Sequence, residues 1–231
     1  PLIWKLNRLR AMSPAEMMYR VKNAVQARAE QSGLGLAQDA DAVPHRACAA
    51  VPWSASLSTQ FDRAAYLDAA DRILRGRFDV FAVEGAELGF PPNWQRDPKT
   101  GTVAPQVFGK TLNYRDERLV GDIKYLWEPS RHIQLVTLAQ AWHLSGERRY
   151  LDGCGKLVDS WLEQCRYPLG VHWTSSLELG VRLLNWSIAW HLIGGERSPL
   201  FAGEAGRRFR ERWLASVYQH CHFIAGHLSL Y

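Results

Sequence analysis

The sequence predicts an all-α fold, and within that class an incomplete α/α toroid, which is a partial ring of antiparallel helix pairs. Two observations lead to this prediction. From about Asp122 onward, apolar residues recur at helical spacing in four successive long segments. The links between these segments are short, which favours antiparallel neighbours. The predicted helices run from Pro129 to Leu144, from Arg148 to Cys165, from Ser176 to Ile193, and from Pro199 to the end of the sequence.

The N-terminal part begins with a helix of its own. Ser13-Pro14-Ala15-Glu16 is a helix start, in which Ser13 is the N-cap, Pro14 takes the first helical position and Glu16 completes a capping box. This helix should run to about Gln31. The segment from Ser32 to Ser58 is rich in Gly, Ala, Asp and Pro, so it is predicted to cross the surface as a loop.

The chain is thereby divided into two unequal parts. Residues 1–58 are predicted to form the N-terminal helix and the surface-crossing segment, and residues 59–231 one helical domain. Within that domain, Phe61 to Ile73 follow helical spacing up to a stop at Gly76. A short strand or loop insertion is expected near residues 78–105.

The insertion has two halves with different composition. Phe78 to Phe90 shows alternating apolar residues and then Gly-rich sequence, which indicates a short strand pair or an extended loop. Pro91 to Pro105 contains several prolines, which exclude regular structure and leave a long fixed loop. Long loops in compact domains are often functional. The candidate residues on this loop are Asn93, Trp94, Arg96 and Asp97.

The charge of the chain favours an acidic polymer as its partner. The net charge is +5, the pI is near 9.2, and of the 28 basic residues six are Lys and 22 are Arg. Arg binds carboxylate or sulfate through two parallel hydrogen bonds, although a codon preference for Arg would give the same composition. No nucleic-acid recognition motif is present, so we predict no nucleic-acid partner.

Neither the cysteines nor the histidines have the spacing of a metal site. The four cysteines lack a Cys-x-x-Cys pattern and are interpreted as buried free thiols. His220 and His227 would lie two helical turns apart, too far to share one ion. The most apolar stretch carries Glu178, Arg182 and Asn185, so no membrane span is predicted. We expect no metal and no cofactor. The cysteines are Cys48, Cys154, Cys165 and Cys221.

Three local patterns follow one another along the chain. The first is Asn93-Trp94, with Asp97-Pro98-Lys99-Thr100-Gly101 at the end of the same loop. The second is Trp127-Glu128-Pro129-Ser130-Arg131, followed by Leu138-Ala139-Gln140-Ala141 and the turn Ser145-Gly146-Glu147. The third is Gly170-Val171-His172-Trp173-Thr174-Ser175, followed by Glu178, Arg182 and Asn185-Trp186. Together with the opening Leu9-Arg10-Ala11-Met12-Ser13-Pro14-Ala15-Glu16, this arrangement resembles the N-terminal helical domain of the heparinase II/III family of polysaccharide lyases over nearly the whole chain.

The resemblance implies a fold, an activity and a missing partner domain. It implies an incomplete α/α toroid that is normally followed by a C-terminal β-sandwich domain, and it favours a periplasmic location. The implied substrates are acidic polysaccharides such as heparan sulfate or alginate, which are cleaved by β-elimination. Such a reaction needs a group that neutralises the uronate carboxylate and a base, commonly Tyr or His, beside the C5 proton.

The catalytic residues that the resemblance implies are not found in this sequence. The family uses an Asn-His pair, a Tyr and a second His, which would follow Tyr231, and no Asn-His dipeptide occurs in the chain. We therefore assign no catalytic residue and expect the chain alone to be inactive. Two departures from the family pattern could change substrate preference: His172 stands where Asn is expected, and Pro129 interrupts the Trp-Glu-x-x-Arg helix start.

All candidate site residues are assigned to substrate binding. Trp94, Trp127 and Trp173 lie in or beside loops at helix ends and are candidate stacking faces for sugar rings, whereas the mid-helix tryptophans are expected in the core. Glu128 and Arg131 are predicted to form a salt bridge with each other or with a neighbouring helix. Glu178 is interpreted either as part of a capping box with Ser175 or as a substrate contact. Arg182 is interpreted either as a partner of a uronate or as a partner of Glu178. The full predicted set is Asn93, Trp94, Arg96, Trp127, Glu128, Arg131, His172, Trp173, Glu178 and Arg182.

Two other functions remain open at the level of sequence. The chain could be a non-catalytic domain that binds acidic glycans or scaffolds exopolysaccharide metabolism. It could also belong to an α/α-barrel hydrolase, which would need two carboxylates across a cleft. The carboxylates available for that role are Asp97, Glu128 and Glu178.

Overall fold

The computed structural model describes residues 11–37 and 62–228, and it confirms the all-α prediction. Of these residues, 65% lie in helices and 7% in strands or bridges. Phe61, Cys48 and most of the predicted surface-crossing segment lie outside the described residues. The toroidal arrangement stays a prediction.

The first helix, α1, spans Pro14–Gln31 and begins as predicted. The Oγ atom of Ser13 accepts a hydrogen bond from the backbone N–H of Glu16 at 3.2 Å. The Glu16 carboxylate pairs with Arg20 at 2.7 Å instead of reaching back to Ser13, so only half of the capping box forms. The helix is held against the C-terminal part of the chain by a hydrogen bond between His227 Nε2 and Glu30 Oε2, at 3.0 Å.

A helix and a hairpin follow, and the strand pair is confirmed. Helix α2 spans Arg63–Leu74, and strands β1 (Arg77–Val80) and β2 (Val83–Glu87) pair in antiparallel orientation. Gly76 has φ 80° between α2 and β1, and a Cβ there would lie 2.7 Å from the backbone of Gly89. Glycine is therefore required where the hairpin folds back onto the end of α2.

The predicted helix from Pro129 to Leu144 is wrong at its start. The structure has three helices between residues 117 and 145, and a break at Arg131 and His132 separates the second from the third. Pro129 lies in the last turn of a helix instead of opening one, where its missing N–H leaves the Tyr125 carbonyl without its helical hydrogen bond. His132 then takes a left-handed conformation, with φ 62°, before the next helix begins. The three helices are α3 (Glu117–Val120), α4 (Ile123–Ser130) and α5 (Ile133–Ser145).

The last three helices match the prediction more closely. Helix α6 spans Arg148–Gln164 and α7 spans Ser176–Leu192. The predicted helix from Pro199 is divided into a short 3-10 turn, Pro199–Phe201, and helix α8, Gly203–Gly226. Helix α5 packs against α2, α6 and α7, and α8 packs against α6 and α7, so α5 and α6 form the centre of the core.

The buried residues confirm some of the predictions and correct others. Cys154 and Cys165 are buried free thiols as expected, but Cys221 is exposed on α8. Burial raises the pKa of the Cys165 thiol well above its ordinary value, so it is held as the neutral thiol. Among the described residues, no helix is long and apolar enough to cross a membrane, and no group of three or more His, Cys, Asp or Glu side chains could hold a metal ion.

Candidate functional site

A cleft of about 510 Å³ lies between β2, the Pro-rich loop and α4. Glu87 lines it from the strand, Asn93 and Arg96 from the loop, and Tyr125 from the helix. Asn93 and Arg96 are exposed. Arg96 forms no ion pair with any carboxylate of the described residues, so its guanidinium is available to a ligand. This is the part of the predicted site that the structure places around one opening.

The loop that carries Arg96 is fixed to α6 by Trp94 and Gln95, the two residues that precede Arg96. The Trp94 indole N–H donates to Ser160 Oγ at 3.0 Å, and its backbone N–H donates to Gln164 Oε1 at 3.0 Å. Its backbone carbonyl accepts from Nε2 of His172 at 2.7 Å. The side-chain amide of Gln95 donates to the carbonyl of Gln164 at 3.0 Å. Trp94 and His172 therefore act on the cleft by holding the loop in place.

Asp97 also has a structural role. It is fully buried, and its carboxylate accepts from the backbone N–H groups of Lys99 and Asp122, both at 2.8 Å. It accepts from the Thr100 hydroxyl at 2.6 Å as well. Gly121, with φ 77°, lies against this carboxylate, since a Cβ there would be 2.5 Å from Oδ2. The hydrogen-bonding capacity of Asp97 is thus used within the fold.

The aromatic wall of the cleft was not predicted from the sequence. Tyr125 of α4 lies with its ring centroid 5.3 Å from that of Phe81, at the hairpin turn. The Nζ atom of Lys99 lies 5.0 Å from the Tyr125 centroid and 2.8 Å from Asp122 Oδ2. The hydrogen bond to Asp122 raises the pKa of Lys99. Nothing in the local pattern around Tyr125 indicated this position, because it depends on how the hairpin packs on α4.

Arg131 lies between two carboxylates. Its Nε and Nη2 atoms contact Glu178 at 2.8 and 3.0 Å, and its Nη1 contacts Glu128 at 2.5 Å. The hydrogen bonds to Glu178 raise the pKa of Arg131 most strongly. The predicted salt bridge is therefore confirmed. Ser175 makes no side-chain cap on α7, so the capping-box interpretation of Glu178 is wrong. Glu128 and Glu178 share one guanidinium, and neither lines the cleft, which does not suit a pair of hydrolase carboxylates.

Helix α7 holds the break between α4 and α5 through a row of polar side chains. Arg182 Nε donates to the carbonyl of Ser130 at 2.5 Å. Asn185 Nδ2 donates to the carbonyl of Arg131 at 2.8 Å, and the Trp186 indole N–H donates to His132 Nδ1 at 2.7 Å. The second and third sequence patterns thus contact each other, and their polar residues satisfy the backbone of an irregular turn. Arg182 does not hydrogen-bond Glu178.

Three histidines are buried in the core around Trp161. His132, His172 and His220 are fully buried, and burial is the largest cause that lowers the pKa of each; for His172 the value falls to about 3. Their partners fix neutral tautomers: His220 Nδ1–H donates to the Ser216 carbonyl at 2.6 Å, and its Nε2 accepts from Arg182 at 2.9 Å. The Arg182 guanidinium lies 4.3 Å from the Trp161 centroid. Such inaccessible imidazoles cannot serve as bases for a bound polymer.

The ten predicted binding residues thus fall into three groups. Asn93 and Arg96 are exposed at the cleft, while Trp127, Glu128 and Arg131 are partly exposed beyond it. The other five are buried, which corrects their assignment as direct substrate contacts. Trp173 illustrates the reason, because its indole N–H is bonded to the Cys165 carbonyl at 2.9 Å inside the core. The buried members are Trp94, His172, Trp173, Glu178 and Arg182.

Comparison of this chain with family models, with curated proteins and with solved structures gave no match.

Proposed function

We propose that this chain is the N-terminal, substrate-binding helical domain of a polysaccharide lyase that cleaves uronate-containing acidic polysaccharides by β-elimination. We further propose that its helix pairs belong to an incomplete α/α toroid. The observation that carries the proposal is the exposed Arg96 guanidinium in a cleft, without a carboxylate partner among the described residues. The sequence resemblance and the Arg-rich composition support the same substrate class.

The chemistry of the cleft suits binding of a sugar acid. A guanidinium forms two parallel hydrogen bonds to a carboxylate or sulfate, and the Asn93 amide beside it can donate to or accept from hydroxyl groups. In β-elimination the same cation would neutralise the uronate carboxylate and so acidify the neighbouring C–H bond. The carboxylate of Asp97 is committed to backbone N–H groups, and the core histidines are inaccessible. We therefore assign binding, and not proton abstraction, to this part of the chain.

The proposal is tested by binding of the chain to heparin, heparan sulfate, alginate and hyaluronan, with neutral glycans as controls, at two salt concentrations. We expect selective binding of acidic glycans, weakened about tenfold or more by Arg96→Ala, because a charge-assisted bidentate contact is lost. Arg207→Ala is the matched control, since Arg207 is exposed on α8 and does not line the cleft. Equal loss in both variants would show attraction by net charge alone and would count against a site.

A non-catalytic glycan-binding domain is the second candidate function. It is favoured by the observation that Asp97 and the three core histidines are all engaged in structural hydrogen bonds. The two functions are distinguished in a longer chain that includes a downstream Asn-His region. Ultraviolet absorbance from unsaturated uronates supports the lyase, and binding without turnover in a folded protein supports the binding domain.

A further inference from the structure

The turn of the hairpin has an unusual residue at a position that favours glycine. Val80 pairs with Val83, so Phe81 and Ala82 form a two-residue loop. Phe81 has φ 51°, and Ala82 is not among the residues with positive φ. A two-residue hairpin loop with positive φ at its first central residue alone is typical of a type II′ turn, in which that residue is usually Gly. A bulky side chain there is a steric outlier.

Burial does not explain why an aromatic residue is held in this conformation. The Phe81 side chain is 51% exposed. Its ring contacts Tyr125 with an interplanar angle of 56°, and Tyr125 lines the cleft that contains Arg96. Strained residues persist mainly where the surrounding structure fixes them, and they are concentrated at binding sites. The exposed ring of this strained residue therefore lies against Tyr125, at the edge of the cleft that contains Arg96.

We propose that Phe81 is a stacking platform for a pyranose ring of the polymer, at the end of the cleft where Tyr125 lies. This inference rests on the proposed function and names the aromatic part of the same site. One face of a pyranose carries several axial C–H bonds, which pack on an aromatic ring through dispersion and through the negative face of the π system. A sugar acid thus offers a C–H face for Phe81 and an anionic group for Arg96.

Phe81 fills a role that the sequence assigned to other residues. Trp94 borders the cleft but is only 2% exposed, and Trp173 is buried in the core. Trp127 is directed elsewhere, because its indole N–H donates to the Val171 carbonyl and its ring packs on Tyr114 with centroids 5.5 Å apart. Among these aromatic residues, Phe81 combines exposure with contact to the cleft wall.

The test compares four chains for binding of the acidic glycan that the wild-type chain binds best. Phe81→Gly removes the ring and suits the turn, Phe81→Trp keeps an aromatic face, and Ala82→Gly changes the flexibility of the same turn with Phe81 in place. We expect Phe81→Gly to weaken binding about three- to tenfold, as loss of one aromatic contact does. Phe81→Trp and Ala82→Gly should bind within about twofold of wild type.

Thermal unfolding shows whether the loss is local. Phe81→Gly relieves a left-handed strain, so its Tm should be equal to or above that of the wild type. Weaker binding with an undiminished Tm supports the stacking platform. Unchanged affinity in Phe81→Gly, in a protein whose binding still depends on Arg96, overturns the platform and leaves the proposed function intact. Absence of any acidic-glycan binding by the wild-type chain overturns both.

Discussion

At the scale of single residues, two charged side chains of α7 are buried and serve the fold. Glu178 is almost fully buried and forms two of the three contacts that Arg131 makes to carboxylates. Arg182 lies one helical turn further along α7 and is fully buried without a carboxylate hydrogen bond. Arg182 also interacts electrostatically with Glu178, so the two arginines and the carboxylates of Glu128 and Glu178 form a cluster that is neutral overall. Removal of one member leaves a buried charge without its counter-ion.

Glu178→Gln tests this charge balance. The substitution keeps the shape of the side chain but removes the negative charge beside Arg131, whose pKa is raised chiefly by its hydrogen bonds to Glu178. We expect the free energy of unfolding to fall by about 2 kcal/mol, measured by urea denaturation, because a nearly buried ion pair is broken. Glu204→Gln is the control, since Glu204 pairs with Arg208 in solvent. A loss of the same size in both variants would contradict a special role for the buried cluster.

The buried tryptophans show where residue-level prediction from sequence fails. The mid-helix residues Trp161, Trp186 and Trp213 were expected in the core and are there. Trp94 and Trp173 were expected at the surface because loops flank them, but both indole N–H groups are bonded inside the protein. Position next to a loop does not determine the direction of a side chain, since that direction depends on which helix the loop packs against.

At the scale of elements, the ends of most helices follow from local sequence, but the break between α4 and α5 does not. Local preference places Pro129 in a first helical turn, where its missing N–H costs no hydrogen bond, and not in a last turn. The position of the break is determined by α7, which supplies hydrogen-bond partners for the carbonyls of Ser130 and Arg131 and for the His132 ring. The sequence did indicate a polar contact for this helix, because polar residues recur at helical spacing in the most apolar predicted helix. For residues 78–90, in contrast, the alternation and the Gly-rich sequence predicted a strand pair or an extended loop, and the structure has the strand pair.

Asn185→Leu tests the contact between α7 and this turn. The variant loses the bond to the Arg131 carbonyl, which at 2.8 Å is one of the bonds that hold the turn. We expect a loss of about 1–2 kcal/mol in the free energy of unfolding. Hydrogen exchange should become faster at the His132 amide, which bonds to the Pro129 carbonyl across the break, and at the Leu135 amide, which bonds to the His132 carbonyl. Ser187→Ala, on the exposed side of the same helix, should change neither quantity. A uniform rise in exchange over all helices would contradict a local role.

At the scale of the whole molecule, residues far apart in sequence gather around Trp161 of α6. His132 contributes from the α4–α5 break, His172 from the turn before α7 and His220 from α8, and each ring lies within 6.3 Å of the Trp161 centroid. No local pattern predicts this arrangement, because it depends on how helices separated by long stretches of chain pack. The cleft has the same origin, since the loop and β2 supply its polar residues, and Tyr125 of α4, which packs on the hairpin, supplies its aromatic wall.

The buried histidines make the stability of the whole domain sensitive to acid. In the unfolded chain a His side chain binds a proton below about pH 6.5. In the folded protein, burial lowers the pKa of His132, His172 and His220, to about 3 for His172. Below pH 6.5 the unfolded state therefore binds more protons than the folded state, and the free energy of unfolding must fall as the pH falls.

We expect the free energy of unfolding to depend steeply on pH, and a single substitution should reduce this dependence. Each neutral His contributes about 1.4 kcal/mol per pH unit, so the three together give about 4 kcal/mol per unit between about pH 6.5 and pH 5. This range lies above the ordinary pKa values of Asp and Glu, which are about 3.9 and 4.3. Urea denaturation across it measures the slope, and His172→Gln, whose amide can still donate to the Trp94 carbonyl, should lower the slope by about a third. Equal stability at about pH 7.5 and pH 5 would mean that the folded protein accepts these protons, which would contradict the buried neutral core.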